Sequence, residues 1–271
     1  MAFLIAAAAL VLIALVLHAV GAREPVYRLV SGDPVWFVAL RGGGEGVFGK
    51  DTRVLWEAQS DFALIGADEA YWTRFALVTG AGPTPLASAA FEDAFVARLK
   101  LFIPPKIVLG LVRVLIALGV LSRPSTESVA LDAQSLGYRP DVMPSAKAIE
   151  TLLAQPADYA PAMVNFLKYY ETAQYPRGGS GRAAYRRYGT VAMRTVFRTG
   201  GHLVFYGRVL EIARAAQAGP TVGAWEDIGV MRYSNPPAIL SMEHVPSYRA
   251  ALHHRDAGLE RTVVIASTPT A

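Results

Sequence analysis

A chain of 271 residues is long enough for one large domain or two small ones, each with its own core. Lys+Arg 26 against Asp+Glu 22 leaves a net charge of +4, too mild and too scattered to be the footprint of a nucleic-acid binder. Cysteine is absent, which excludes disulfides, thiolate metal sites and cysteine nucleophiles, while 53% apolar residues exceeds the share of an average globular chain.

The first element is FLIAAAALVLIALVLHAV, Phe3 to Val20, apolar apart from His18. At about 1.5 Å per residue it would span roughly 27 Å, close to the hydrocarbon thickness of a bilayer. Residues 1–22 are therefore expected to form an N-terminal transmembrane helix that meets lipid through residues 3–20. A cleaved signal peptide is the rival, since Val20, Gly21 and Ala22 are small, but a charged lead-in is missing and the apolar run is long. Arg23 and Arg28 on the C-terminal flank place the body of such a single-pass protein on the cytoplasmic side.

Three strand-like runs follow: VWFVALRG, RVLW ending at Trp56, and YWTRFALV around Trp72. Between the first two, GEGVFGKD (Gly44 to Asp51) imitates a phosphate loop, but Asp51 stands where a magnesium-holding hydroxyl belongs and would repel phosphate. No G-x-S-x-G nucleophile elbow occurs. Ile107 to Leu121 is apolar enough to suggest a second span, yet Arg113 at its centre would cost about 2.5–3.5 kcal/mol. We read it as a soluble element, with Arg113 to Leu121 as a strand.

Residues 123–144 are polar and proline-punctuated and read as a linker. Ser145 then caps a short helix, AKAIETLLAQ. AMVNFLKY is a strand, and Arg182 to Thr199 a helix with Tyr185, Tyr188, Ala192 and Val196 on one face. HLVFYGRVLEI and WEDIGVMRY are strands. Pro236-Pro237 opens a helix, Ser247 restarts it through His254, Gly258 stops it, and RTVVIAST is the last strand. The order is β-α-β-β-α-β, a ferredoxin-like unit. Residues 23–122 read as a degenerate copy of residues 145–271 without the first helix, RVLIA from Arg113 matching RTVVIA from Arg261.

MVNFLKY, AAYRRYG, GGHLVFYGRV, WEDIGVMRY and the tail YRAALHHRDAGLERTVVIAST, in this order, resemble the domain of unknown function 1330 family of the dimeric α/β-barrel superfamily. The resemblance covers about Ser145 to Pro269, with a fainter echo over residues 32–122. It implies an α+β fold in which ferredoxin-like units close a barrel, either as an intramolecular pseudo-dimer of two tandem copies or as a homodimer. The superfamily includes haem-degrading monooxygenases and small-molecule isomerases; haem is thus a conceivable cofactor, though nothing in the sequence requires one.

The residues carried over are Asn165, Tyr188, His253, His254 and Arg255. Asn165, polar inside an apolar strand, is either a ligand contact or an amide satisfied by local backbone. Tyr188 packs in the core or turns its hydroxyl into a cavity. His253 and His254 are successive helical residues about 100° apart, and either serve as base or ligand or merely favour the helix dipole. His18, His202 and His244 stand at no recognised metal-ligand spacing with them. The expected function is binding of a small, largely apolar molecule. The alternatives are a cofactor-independent or haem-using monooxygenase or isomerase, with His253 or His254 catalytic, and a structural or interaction module at the membrane.

Overall fold

The computed structural model describes residues 1–43, 46–80, 82, 84–87, 91–126 and 139–270, with the side chains of residues 2–4 left aside. Gly44 and Glu45 of the phosphate-loop imitation, and residues 127–138 of the linker, lie outside these.

Runs rich in Val, Ile and Phe become eight strands: β1 (Val35–Arg41), β2 (Arg53–Ile65), β3 (Arg74–Thr79), β4 (Asp93–Leu101), β5 (Ala162–Tyr169), β6 (His202–Arg214), β7 (Asp227–Arg232) and β8 (Leu259–Pro269). They close a barrel in the order β1-β3-β2-β8-β5-β7-β6-β4, antiparallel at every pair. The two halves of the ring carry their strands in equivalent order, β4-β1-β3-β2 and β8-β5-β7-β6.

The expected ferredoxin-like fold behind a transmembrane helix is thereby corrected to one closed eight-stranded antiparallel barrel with helices outside it. The physical reason lies in β2 and β6. Each runs 13 residues and bulges along its length, so each curls past its own half and hydrogen-bonds the far edge: β2 with β8, β4 with β6.

Alternation sends one face of each strand inward. Phe37, Phe75, Phe95, Phe166 and Phe205 fill the barrel, with Trp72 and Trp225 in the same cluster. Ring centroids stand 5.6 Å apart for Phe37–Phe166 and 5.7 Å for Phe95–Phe166, so rings from both halves interlock. An eight-stranded barrel is just wide enough for such a filling. Outside, Val47, Phe48, Leu86 and Phe91 cover part of the N-terminal half. The C-terminal half is covered by helices α3 (Ala146–Leu153), α4 (Gly181–Arg198), α5 (Pro236–Leu240) and α6 (Pro246–Gly258). Ser145 Oγ accepts from the Ala148 N–H as the sequence predicts.

Two further expectations are corrected. Among the described residues no helix is long and apolar enough to cross a membrane, so the single-pass anchor is not supported, nor the cytoplasmic placement read from Arg23 and Arg28. The apolar N-terminal run is helix α1 (Ala2–Gly21), packed against a neighbour. That neighbour is α2 (Lys106–Ala117), a helix where a strand was expected; the fourth strand is β4 instead. A short apolar run does not by itself distinguish strand from helix. Here Pro105 caps the helix start, and Gly110 brings the two backbones together. A Cβ on Gly110 would stand 1.8 Å from the Leu17 carbonyl oxygen.

The helical setting also gives Arg113 its role. Its guanidinium donates to Glu24 Oε1 at 2.5 Å, to Glu24 Oε2 at 3.0 Å and to the Gly201 carbonyl at 2.8 Å. His202 Nδ1 stands 2.9 Å from Glu24 Oε2. Burial alone would raise the Glu24 pKa, but hydrogen bonds from His202 and Arg113 outweigh it and hold the carboxyl below its ordinary 4.5. A depressed carboxyl contributes stability above pH 4.5 that is lost as pH falls through its lower folded value. Urea denaturation across this range should therefore show a steeper acid loss in the native chain than in Glu24→Gln. Parallel pH profiles would contradict this role of Glu24.

Candidate functional site

Strand β5 separates two environments. Ala162, Val164 and Phe166 point into the barrel, while Met163 and Leu167 pack among the outer clusters, which puts Asn165 on the outer face. Cross-strand register aligns Val264, Asn165, Gly229 and Tyr206 in one row across β8, β5, β7 and β6. Gly229 contributes no side chain, and the Tyr206 ring occupies the vacancy: a Cβ there would meet Tyr206 Cδ2 at 2.9 Å.

Helix α4 lies above this row but packs chiefly along α6. Ser180 Oγ caps it by accepting from the Ala183 N–H at 3.2 Å. Gly181 and Gly258 permit the close crossing, since a Cβ on Gly258 would stand 2.6 Å from both the Gly181 oxygen and the Tyr185 nitrogen. A helix lying flush on the sheet would seal the central row. Instead Asn165, Tyr206 and Met231 on the sheet, and Tyr185, Tyr188, Ala192 and Met193 on α4, are all only half-buried. We read this partial exposure on both sides as a narrow cleft, bounded where Met193 packs with Tyr206 and Met231 and where Tyr185 packs with Tyr206.

A polar network closes one end of it. Asp227, 3% exposed, accepts from the Tyr206 hydroxyl at 2.6 Å and the Tyr169 hydroxyl at 2.7 Å on one oxygen, and from Arg182 at 2.5 Å on the other. Arg182 also donates to Glu226 at 3.0 Å, and Glu226 accepts from the Tyr169 backbone N–H at 2.8 Å. Burial and then Asp227 raise the Tyr206 pKa; burial and then Tyr206 raise that of Tyr169 well above the ordinary value. Both phenols are fixed as donors. The two hydroxyls are 2.8 Å apart, so three oxygens share two phenolic hydrogens.

The aromatic wall continues along α4. Tyr185 lies 5.2 Å from Tyr169 and 5.4 Å from Tyr188 between ring centroids, and the Tyr188 and Tyr248 hydroxyls are 3.1 Å apart. Burial, followed by the Tyr188 charge, raises Tyr185 well above the usual phenol range. Arg255 sits behind, buried, its guanidinium 5.9 Å from the Tyr188 ring and paired with Asp256 at 3.1 Å. Burial disfavours its charge, but Tyr188, Tyr248 and Asp256 more than offset this and raise its pKa.

Of the residues singled out in the sequence, Asn165, Tyr188 and Arg255 thus border the cleft or its wall. Asn165 Nδ2 donates to the Met163 carbonyl at 2.7 Å and the Gly229 carbonyl at 3.2 Å, so its amide nitrogen is satisfied by backbone. His253 is exposed, with Nδ1 2.7 Å from the Ala250 carbonyl. His254 meets the Tyr175 hydroxyl at 2.5 Å, and burial, then His253 and Arg187, lower its pKa, which leaves it largely neutral at pH 7. Among the described residues no group of His, Cys, Asp and Glu is arranged to hold a metal.

Tyr169, Arg182, Tyr206, Glu226 and Asp227 are not among those sequence choices. Two signals pointed to them: an acidic pair opening an apolar strand, and an arginine in the first turn of a helix, where the dipole disfavours a cation.

The fold and this region define a helix-covered antiparallel barrel with a row of tyrosines between α4 and its outer face. No family model matches the chain, and no curated protein matches it. Among solved structures it is similar to the RPA0582 protein of unknown function from Rhodopseudomonas palustris, a structural genomics target, with 26% identity over 47% of this chain and 95% of that one and a TM-score of 0.41. The methylated RPA0582 protein gives 25% identity over 47% and 93%, with the same TM-score of 0.41.

Proposed function

We propose that the protein binds a small, largely apolar molecule in the cleft between α4 and the outer face of the barrel. Asn165 forms the floor, and Tyr185, Tyr188 and Ala192 line the roof. The observation that carries this reading is the half-burial of Asn165 at the centre of a strand that has neighbours on both sides and a helix above it. Concave, mostly apolar gaps with a few placed polar groups are the usual form of small-molecule sites. The barrel interior is occupied by aromatic side chains and is not the site in this reading.

Naphthalene, a neutral bicyclic probe, should shift the backbone amide resonances of Asn165 and Gly229 at sub-millimolar concentration. Ala192→Phe places a ring in the cleft and should abolish the response while leaving the unfolding midpoint within a few degrees of the native one. Shifts confined to the exposed faces of α1 and α2, or an undiminished response in Ala192→Phe, would overturn the proposal.

A further inference from the structure

We infer that the cleft selects a neutral ring compound that carries a hydroxyl or N–H donor, and discriminates against carboxylates and phosphates. This deepens the binding reading above and rests on it.

The selectivity begins with the orientation of Asn165. Its two amide hydrogens are committed to the Met163 and Gly229 carbonyls, at 2.7 and 3.2 Å. The flipped amide would set its oxygen against both carbonyl oxygens, so the assignment of nitrogen and oxygen follows from the surroundings. What Asn165 presents to the cleft is therefore only its oxygen, an acceptor. Among the described residues nothing donates to that oxygen, and it is not one of the sealed polar atoms that lack a partner, so it opens onto the cleft. The Tyr185 hydroxyl is likewise without a partner among the described residues and is not sealed. Because burial keeps that phenol protonated, it can give a hydrogen bond.

The open acceptor on Asn165 matches a group that gives a hydrogen bond, and the Tyr185 hydroxyl can answer a group that takes one. A phenolic or enolic hydroxyl does both; so does a ring N–H beside a carbonyl. The flanking tyrosine faces and the side-chain-free surface at Gly229 suit the flat ring that bears it.

An anion finds the opposite. The guanidinium of Arg182 is already held by Asp227 and Glu226, and that of Arg255 by Asp256. Arg186, Arg187 and Arg194 are exposed on the outer side of α4. A carboxylate entering the cleft would give up its hydration and face the lone pairs of Asn165.

Four probes of one shape test this by calorimetric titration at pH 7: naphthalene, 2-methoxynaphthalene, 2-naphthol and 2-naphthoate. The expected result is 2-naphthol tighter than naphthalene and 2-methoxynaphthalene by about tenfold, a typical worth for such a hydrogen bond, with 2-naphthoate weakest. Tyr185→Phe keeps the ring and removes the hydroxyl, so it should narrow the advantage of 2-naphthol over naphthalene. Asn165→Leu should remove the advantage altogether. Equal affinity for 2-naphthol and 2-methoxynaphthalene, or tightest binding by 2-naphthoate, overturns the inference and leaves the binding reading standing. Failure of all four probes overturns the binding reading, and the inference with it.

Discussion

Phe166→Ala should lower the free energy of unfolding by about 3–5 kcal/mol, read as a shift of the urea midpoint with an unchanged slope. Phe166 is fully buried at the middle of β5, and its ring meets partners from across the barrel. Phe37 stands 5.6 Å away, Phe95 5.7 Å and Trp225 5.6 Å between centroids. The first two belong to the N-terminal half of the ring and the third to the C-terminal half. The cavity left by the substitution is bounded by side chains on several strands held in a closed hydrogen-bonded ring, which cannot collapse around one missing side chain, so the cost belongs near the top of the range. Both halves should lose stability together, seen as one transition by tryptophan fluorescence and by circular dichroism. Two separable transitions, with only one displaced, would mean that the halves are independent and that the shared core does not govern folding.

That sharing was the least legible property in the sequence. Strands β5, β6, β7 and β8 and helices α3, α4 and α6 can be read from it because each carries its own period and a local boundary signal, such as the start at Ser145 or the stop at Gly200-Gly201. Barrel closure depends on pairings between β2 and β8 and between β4 and β6, and no local pattern records which distant edge a long strand will meet. The apolar run around Arg113 misled for a related reason. Its match to RTVVIA from Arg261 suggested a strand, but the partners that settle its form, Glu24, Gly201 and His202, are remote in sequence. The N-terminal run was judged by its length and its apolar content, while its fit against α2 depends on Gly21 and Gly110, glycines whose value is visible only once the helices touch.

The candidate site divides in the same way. Asn165 could be found because a polar residue in an apolar strand violates its surroundings. Tyr169, Tyr206 and Asp227 could not be grouped, since they come from three strands and meet only through register. His253 and His254 drew attention as an adjacent pair; their rings do stand together, 3.8 Å apart between centroids, but they gather around Tyr175 and not around Asn165.

The second large effect is expected at Asp227. Asp227→Ala should destabilise the protein by about 3 kcal/mol, below the full cost of orphaning a buried charge because Arg182 keeps Glu226 and some solvent. Three donors lose their common acceptor at once: the Tyr169 and Tyr206 hydroxyls and one arm of Arg182. The phenols cannot turn to bulk water without dragging Tyr206 off Gly229, where its ring forms part of the cleft floor. Loss of stability should therefore be accompanied by at least tenfold weaker naphthalene binding, although Asp227 itself need not touch the probe. Asp227→Asn separates the two consequences. It keeps an acceptor for the phenols but drops the charge that holds Arg182, so binding should largely survive while part of the stability is lost. Equal binding loss in Asn and Ala variants would show that Asp227 acts through its charge, and that the position of the Tyr206 ring does not depend on the shared oxygen.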